Sequence, residues 1–271
     1  MKTFLVPVDF SDASKNAAEY AAQLTTDITD AKIILYNVYD KIIFSTSRDT
    51  EHHSRKNIAE NELNELKASF PVSDKATVST VAEEGSLVDN IEKFVADHSV
   101  DLIIMGITGS SRIKQVFMGT NTLNVMRHVN TPLMIIPPDA KFHGLKNVVF
   151  TSDFKDVTNT TPFASLKAIL DLFHPMLHIV NVDAEHYVEL TEEYKKERAV
   201  LAEQLGSYNP EFYFLRTYDF VDGIDLFVAT HNVDAIITVP KKHNFVSKLF
   251  VVTHTKKLAY HSHLPIIAIH V

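Results

Sequence analysis

The chain repeats itself, and the repeat constrains its fold more than any other feature. Val88-Asp89-Asn90-Ile91 returns as Val221-Asp222-Gly223-Ile224, and Phe94-Val95-Ala96 returns as Phe227-Val228-Ala229. The offset of 133 holds without a gap through His98 and His231, Val100-Asp101 and Val233-Asp234, Phe117 and Phe250, Thr120 and Thr253, and Pro132 and Pro265. Near the start of each half the offset is 144, where Asp9-Phe10 returns as Asp153-Phe154 and Asn37-Val38 as Asn181-Val182. The second half is therefore eleven residues shorter between Tyr39 and Thr80, and the extra chain is expected in the polar stretch Ser45 to Lys56. Self-similarity on this scale means two copies of one unit, each long enough to bury its own core. Paired prolines stop a strand and stiffen a linker, so Pro137-Pro138-Asp139-Ala140 is the natural joint. Two tandem domains result, 1–138 and 145–271.

Within a half, short apolar runs alternate with amphipathic stretches. Phe4-Leu5-Val6, Ile33-Ile34-Leu35, Thr77-Val78-Ser79, Leu102-Ile103-Ile104 and Leu133-Met134-Ile135-Ile136 read as strands. Between them, Ala17/Tyr20/Ala21/Leu24, Ile58/Leu63/Leu66 and Leu87/Ile91/Phe94/Val95 read as helix faces, with Ser86 and Asp89 forming a capping-box-like start to the last. Such alternation predicts an α/β fold, a parallel sheet with helices on both faces. Pro7 fits only if the paired part of its strand ends near Val6.

Composition narrows the function. A net charge of −8 lacks the footprint of a general nucleic-acid or anionic-membrane binder. No apolar run approaches the roughly 20 residues that span a bilayer, and the first residues have no signal-peptide layout. Zero cysteines exclude disulfides, thiolate metal sites and cysteine nucleophiles. A soluble cytoplasmic protein is expected.

Glycine is scarce: seven in 271 residues, about a third of the usual share. Three of them, Gly106, Gly109 and Gly119, fall close together after the strand Leu102–Met105, and the loop they form runs into a helical stretch through Leu123, Val125 and Met126. A phosphate needs inward backbone N–H groups with no β-carbon in the way, and a helix N-terminus adds unpaired donors. Its partial charge contributes about 0.3–1 kcal/mol when exposed. Neither a Walker loop nor the G-x-G-x-x-G fingerprint occurs in the chain.

The pattern G-x2-G-x9-G-T after a strand resembles the nucleotide-binding signature of the universal stress protein family. Val6-Pro7-Val8-Asp9, Gly85-Ser86 and the block His128–Pro137 reinforce the resemblance across the first half, and the repeat extends it to the second. It implies two tandem Rossmann-like domains of the adenine nucleotide alpha hydrolase-like kind, each with a five-stranded parallel sheet of order 3-2-1-4-5. The ligand crevice then lies between strands 1 and 4, the topological switch point. The ligand implied is ATP, or AMP or ADP, with Mg2+ as a possible companion. By position, Asp9 meets the adenosine portion, Pro7 starts the exit toward the site and is counted among its binding residues, Asn37 and Val38 line the adenine pocket, and Met105 lies beside the base. Gly106, Gly109, Gly119, Thr120 and Asn121 cradle the phosphates, and Arg112 and Lys114 lie within reach. Blander readings stay open: Asp9 and Ser11 as helix caps, Thr120 as an N-cap, Arg112 and Lys114 as solvated charges.

In the second half the loop glycines become Val239, Lys242 and Val252, and Pro240 replaces Ile107, although Asp153 and Thr253 remain. That domain is expected to keep the fold and lack the site. Family members commonly dimerise through their last strand, so the resemblance implies an internal pseudo-dimer of the two halves and allows a homodimer. The fourteen histidines show no zinc motif; His174 and His178 straddle Pro175 and do not share a helix face. Glu192 to Arg198 reads as a solvated helix face. No G-x-S-x-G elbow occurs and no residue stands out as a general base. The expected function is an adenine-nucleotide-responsive stress module; the alternatives are a slow Mg2+-dependent ATPase and a nucleotide-free interaction scaffold.

Overall fold

The computed structural model describes residues 1–40, 48–107, 109–110, 115–116, 120–183, 191–217, 219–240 and 264–270. They divide into two compact units, Met1–Thr108 with Met118–Pro138, and Gly109–Phe117 with Asp139–Val271.

Unit 1 alternates as β1 (Lys2–Pro7), α1 (Asp12–Leu24), β2 (Ala31–Tyr39), α2 (Arg48–Ser69), β3 (Ala76–Glu84), α3 (Leu87–Asp97) and β4 (Leu102–Gly106). In the chain a two-stranded antiparallel hairpin comes next, β5 (Gly109–Ser110) with β6 (Gln115–Val116), which is grouped with unit 2; unit 1 resumes with α4 (Thr120–His128) and β7 (Leu133–Ile136). The five main strands pair in parallel in the order β3-β2-β1-β4-β7. The middle strands are apolar runs because both faces are covered, and Phe4, Leu5, Ile33, Leu35 and Ile103 are fully buried.

Pro7 closes β1, paired with Tyr36. Lys2 and Val8 donate their N–H groups toward β2, to Asp30 and Tyr36, whereas Thr3 donates toward β4, to Asp101. By alternation the missing Pro7 N–H falls on the β4 side, beyond the last registered pair there, Leu5 with Ile103. No ladder bond is lost.

Unit 2 runs β8 (Asn147–Thr151), α5 (Val157–Thr160), α6 (Phe163–Phe173), β9 (Met176–Val182), α7 (Glu192–Leu205), a 3-10 turn at Gly206–Tyr208, β10 (Glu211–Leu215), α8 (Phe220–His231), β11 (Ala235–Thr238) and β12 (Ile266–Ala268). Its strands pair in parallel as β10-β9-β8-β11-β12. His174 ends α6 in a left-handed conformation while His178 lies on β9, so the two are indeed on different elements.

Several local readings change. The face of α2 is Ala59, Leu63 and Leu66; Ile58 is 57% exposed, because five residues of helix from Leu63 carry it about 140° off that face. The eleven extra residues are mostly helix: α2 has 22 residues and α7 has 14. Ser86 is the N-cap of α3 but makes no side-chain capping bond. The α7 charges are not all solvated. Glu197 accepts from the Val157 N–H at 2.8 Å, and the Arg198 guanidinium lies 4.6 Å over the Phe212 ring.

Candidate functional site

Unit 1 has a cleft of about 320 Å3 at the carboxyl ends of β1 and β4, within the size range of small-molecule sites. It is lined by Pro7, Val8, Asp9, Ser11, Ala13 and Ser14 from the β1–α1 turn, Tyr36 and Val38 from β2, and Leu87 from α3. Met105 and Gly106 from β4 and Asn121 and Thr122 from α4 complete it. This is where β1 has neighbours on both sides, so the chain leaves the sheet in opposite directions and a crevice opens.

The β1–α1 turn is built for this place. Phe10 takes a left-handed φ of 64°, as its repeat counterpart Phe154 does at 51°. Ser11 caps α1, its Oγ accepting the Ser14 N–H at 3.3 Å. Asp9 Oδ1 accepts the Ser11 hydroxyl at 2.5 Å and the Ser11 N–H at 3.1 Å. Partial burial pushes the Asp9 carboxyl up, but hydrogen bonds from Ser11 and Ser14 outweigh it and hold the group below the usual aspartate value. Asp9 is therefore an ionised acceptor at neutral pH, braced by the residue that caps the helix.

Gly106 touches the same turn. A Cβ at Gly106 would lie 2.1 Å from the Ala13 carbonyl oxygen, so α1 rests directly on the end of β4. Thr122, buried in the first turn of α4, donates its hydroxyl to the Gly106 carbonyl at 3.4 Å. The first turns of α1, α3 and α4 thus all border the cleft. Each carries unpaired N–H groups and about half a positive charge. Among the described lining residues, Asp9 is the one ionisable carboxylate or base, apart from the Tyr36 phenol.

Of the residues expected from sequence, Pro7, Asp9, Val38, Met105, Gly106 and Asn121 meet in this cleft. Asn37 does not. Side chains alternate along a strand, so Tyr36 and Val38 share the cleft side while Asn37 donates its amide to the Val8 carbonyl at 2.7 Å. Asn181 does the same for Ser152 in unit 2, at 2.9 Å, which makes this bond a brace of the fold. Gly109 opens β5, paired with Val116, and Thr120 begins α4. Gly119, Arg112, Lys114, Ser45, Lys241, Lys242, His243, Val252, Thr253, His261 and His263 lie outside the described residues. Sequence reasoning missed Tyr36, Ser14, Leu87 and Thr122 as lining residues. The alternation along β2 carried a signal for Tyr36; nothing local marked the others.

The sequence model of the Universal stress protein family matches residues 1–137. The chain belongs to the universal stress protein family. Two universal stress proteins of Methanocaldococcus jannaschii are similar to it. One is 26% identical over 50% of this chain and 94% of its own length, the other 24% identical over 52% and 84%. Each single relative thus spans half of this chain. A crystal structure of a universal stress protein from Archaeoglobus fulgidus shares the fold across 99% of this chain and 98% of that one, with a TM-score of 0.66 at 17% identity.

Proposed function

We propose that unit 1 of this universal stress protein binds ATP or another adenine nucleotide and acts as a nucleotide-responsive module. The supporting observation is the cleft at the β1–β4 switch point, where three helix N-termini converge beside an apolar wall of Val38, Leu87 and Met105. Apolar surface suits a base, hydroxyl and carboxylate acceptors suit a ribose, and helix N-termini suit phosphate. Gly109, Gly119, Thr120 and Asn121 are assigned to the phosphate end on the strength of their loop pattern. Unit 2, with Val239 and Pro240 after β11, keeps the fold and is assigned no nucleotide.

Calorimetric titration with ATP, with and without Mg2+, tests this reading. Micromolar affinity, about −8 kcal/mol, with one site per chain is the expected result. Two sites would mean that unit 2 also binds; no binding at millimolar ATP would leave an interaction scaffold.

A further inference from the structure

Asn90 and Gly223 are each the fourth residue of a helix, α3 in unit 1 and α8 in unit 2. In unit 2 the helix lies hard against the end of β9. A Cβ at Gly223 would stand 2.7 Å from Thr217 Cγ2 and 3.0 Å from Val182 Cγ1. Val182 is the repeat counterpart of Val38. In unit 1, Val38 and Leu87, the first residue of α3, instead border the open cleft.

At the position of that glycine, unit 1 carries a connected polar group. The Asn90 amide donates to Glu83 Oε2 at 3.4 Å and to the Glu84 carbonyl at 3.1 Å. Glu83 Oε2 also accepts the Tyr36 hydroxyl at 2.6 Å, and the buried Tyr36 ring stacks on Phe94 of α3, with centroids 4.2 Å apart. Burial and the Glu83 carboxylate both raise the Tyr36 phenol, so it stays protonated and keeps donating.

The repeat supplies an internal control. Contacts that serve the fold occur in both units. Asn37 and Asn181 brace strand ends, Asp101 accepts the Thr3 N–H of β1 as Asp234 accepts the Asn147 N–H of β8, and His98 and His231 stack on Phe94 and Phe227. Tyr36 and Asn90 are replaced by Val180 and Gly223, and Glu83, in the strand register, by Leu215, which opposes Val182 as Glu83 opposes Val38. This group is present in unit 1 and absent at the corresponding positions of unit 2.

We propose that Asn90, braced by Glu83 and Tyr36, is a spacer that holds the first turn of α3 off Val38 and keeps the base end of the cleft open. Its consequence for binding rests on the nucleotide reading of unit 1; the spacing itself does not. Alanine is a better helix former than asparagine, so lost binding in Asn90→Ala is not helix weakening. That variant is expected to bind ATP and AMP about tenfold more weakly by calorimetry, with inorganic tripolyphosphate unaffected. Glu83→Gln keeps an oxygen acceptor for the Tyr36 hydroxyl and is expected to bind as the wild type does. A readout without ligand is a methyl NOE between Val38 and the residue-90 Hα, expected in Asn90→Gly and absent in the wild type. If the wild type binds nucleotide, both the affinity loss and the new NOE are required, and the absence of either overturns the spacer. If the wild type binds none, the nucleotide reading fails and the NOE alone decides the spacer.

Discussion

Gly106 has no room for a methyl group. Its Cα faces the Ala13 carbonyl, and a backbone oxygen 2.1 Å from a new Cβ can yield only if the start of α1 moves. Gly106→Ala is expected to cost about 1–3 kcal/mol of stability and to disrupt the cleft together with the turn. Urea denaturation beside calorimetry checks both effects, and a variant of wild-type stability would refute the contact. Gly109→Val differs, because unit 2 carries a lysine at that position of the repeat. It is expected to retain wild-type stability while weakening ATP binding, and full affinity in this variant would remove Gly109 from the site. Unit 2 has valine at the position of Gly106, and its first long helix starts late: α1 begins at Asp12, but α6 begins only at Phe163, seven residues later in the repeat frame.

His178 tests burial in the same way. It is 4% exposed, neither ring nitrogen has a hydrogen bond, and Glu211 Oε2 stands 3.4 Å from Nδ1. Burial pushes its pKa below the ordinary histidine value, with Glu211 opposing and His231 adding to the fall. The unfolded chain then binds the proton more readily than the fold does. The stability this group contributes is complete above about pH 6.5 and is lost as pH falls from there toward the folded-state value. His178→Phe is expected to flatten the stability profile in that window, as followed by denaturant titration at several pH values. An unchanged slope would show that another group sets it.

At the scale of elements, α2 is where the two halves diverge. Taking the repeat frame from the start of α7, the extra eleven residues are residues 48–58, about three helical turns. Among the residues whose burial is described, 55–69, the buried stripe begins at Ala59. Deleting residues 48–58 is therefore expected to leave unit 1 folded, with stability changed by no more than about 1 kcal/mol and far-UV circular dichroism lower by roughly three turns of helix. Loss of cooperative unfolding would show that these turns carry packing. A polar run without apolar spacing gives no local warning that it will be helical.

For the whole molecule, two units share one strand order and differ at the positions of the proposed site. Unit 1 has Gly106 and the Tyr36–Glu83–Asn90 group; unit 2 has Val239 and a helix seated on Val182. Saturating nucleotide at about 100 times its dissociation constant is expected to stabilise the protein by about 2.7 kcal/mol. Calorimetric scans should show this as one shifted transition where the units unfold separately. Shifts in two separate transitions would contradict single-site binding.

Local order made much of this legible in the sequence. The repeat, the strand–helix alternation and the glycine loop are patterns of near neighbours, and a strand covered on both faces is an apolar run wherever it occurs. The family resemblance assigns Pro7, Asp9, Val38, Met105, Gly106 and Asn121 to one place, and they meet where the strand ends of an open parallel sheet form its switch point. Tertiary structure decided what stands opposite each residue. It turned Asn37 to the Val8 carbonyl, set Gly106 against α1, and tied Tyr36 to Glu83, 47 positions away. The distance between a helix and its sheet depends on side chains far apart in sequence, and no local pattern records it.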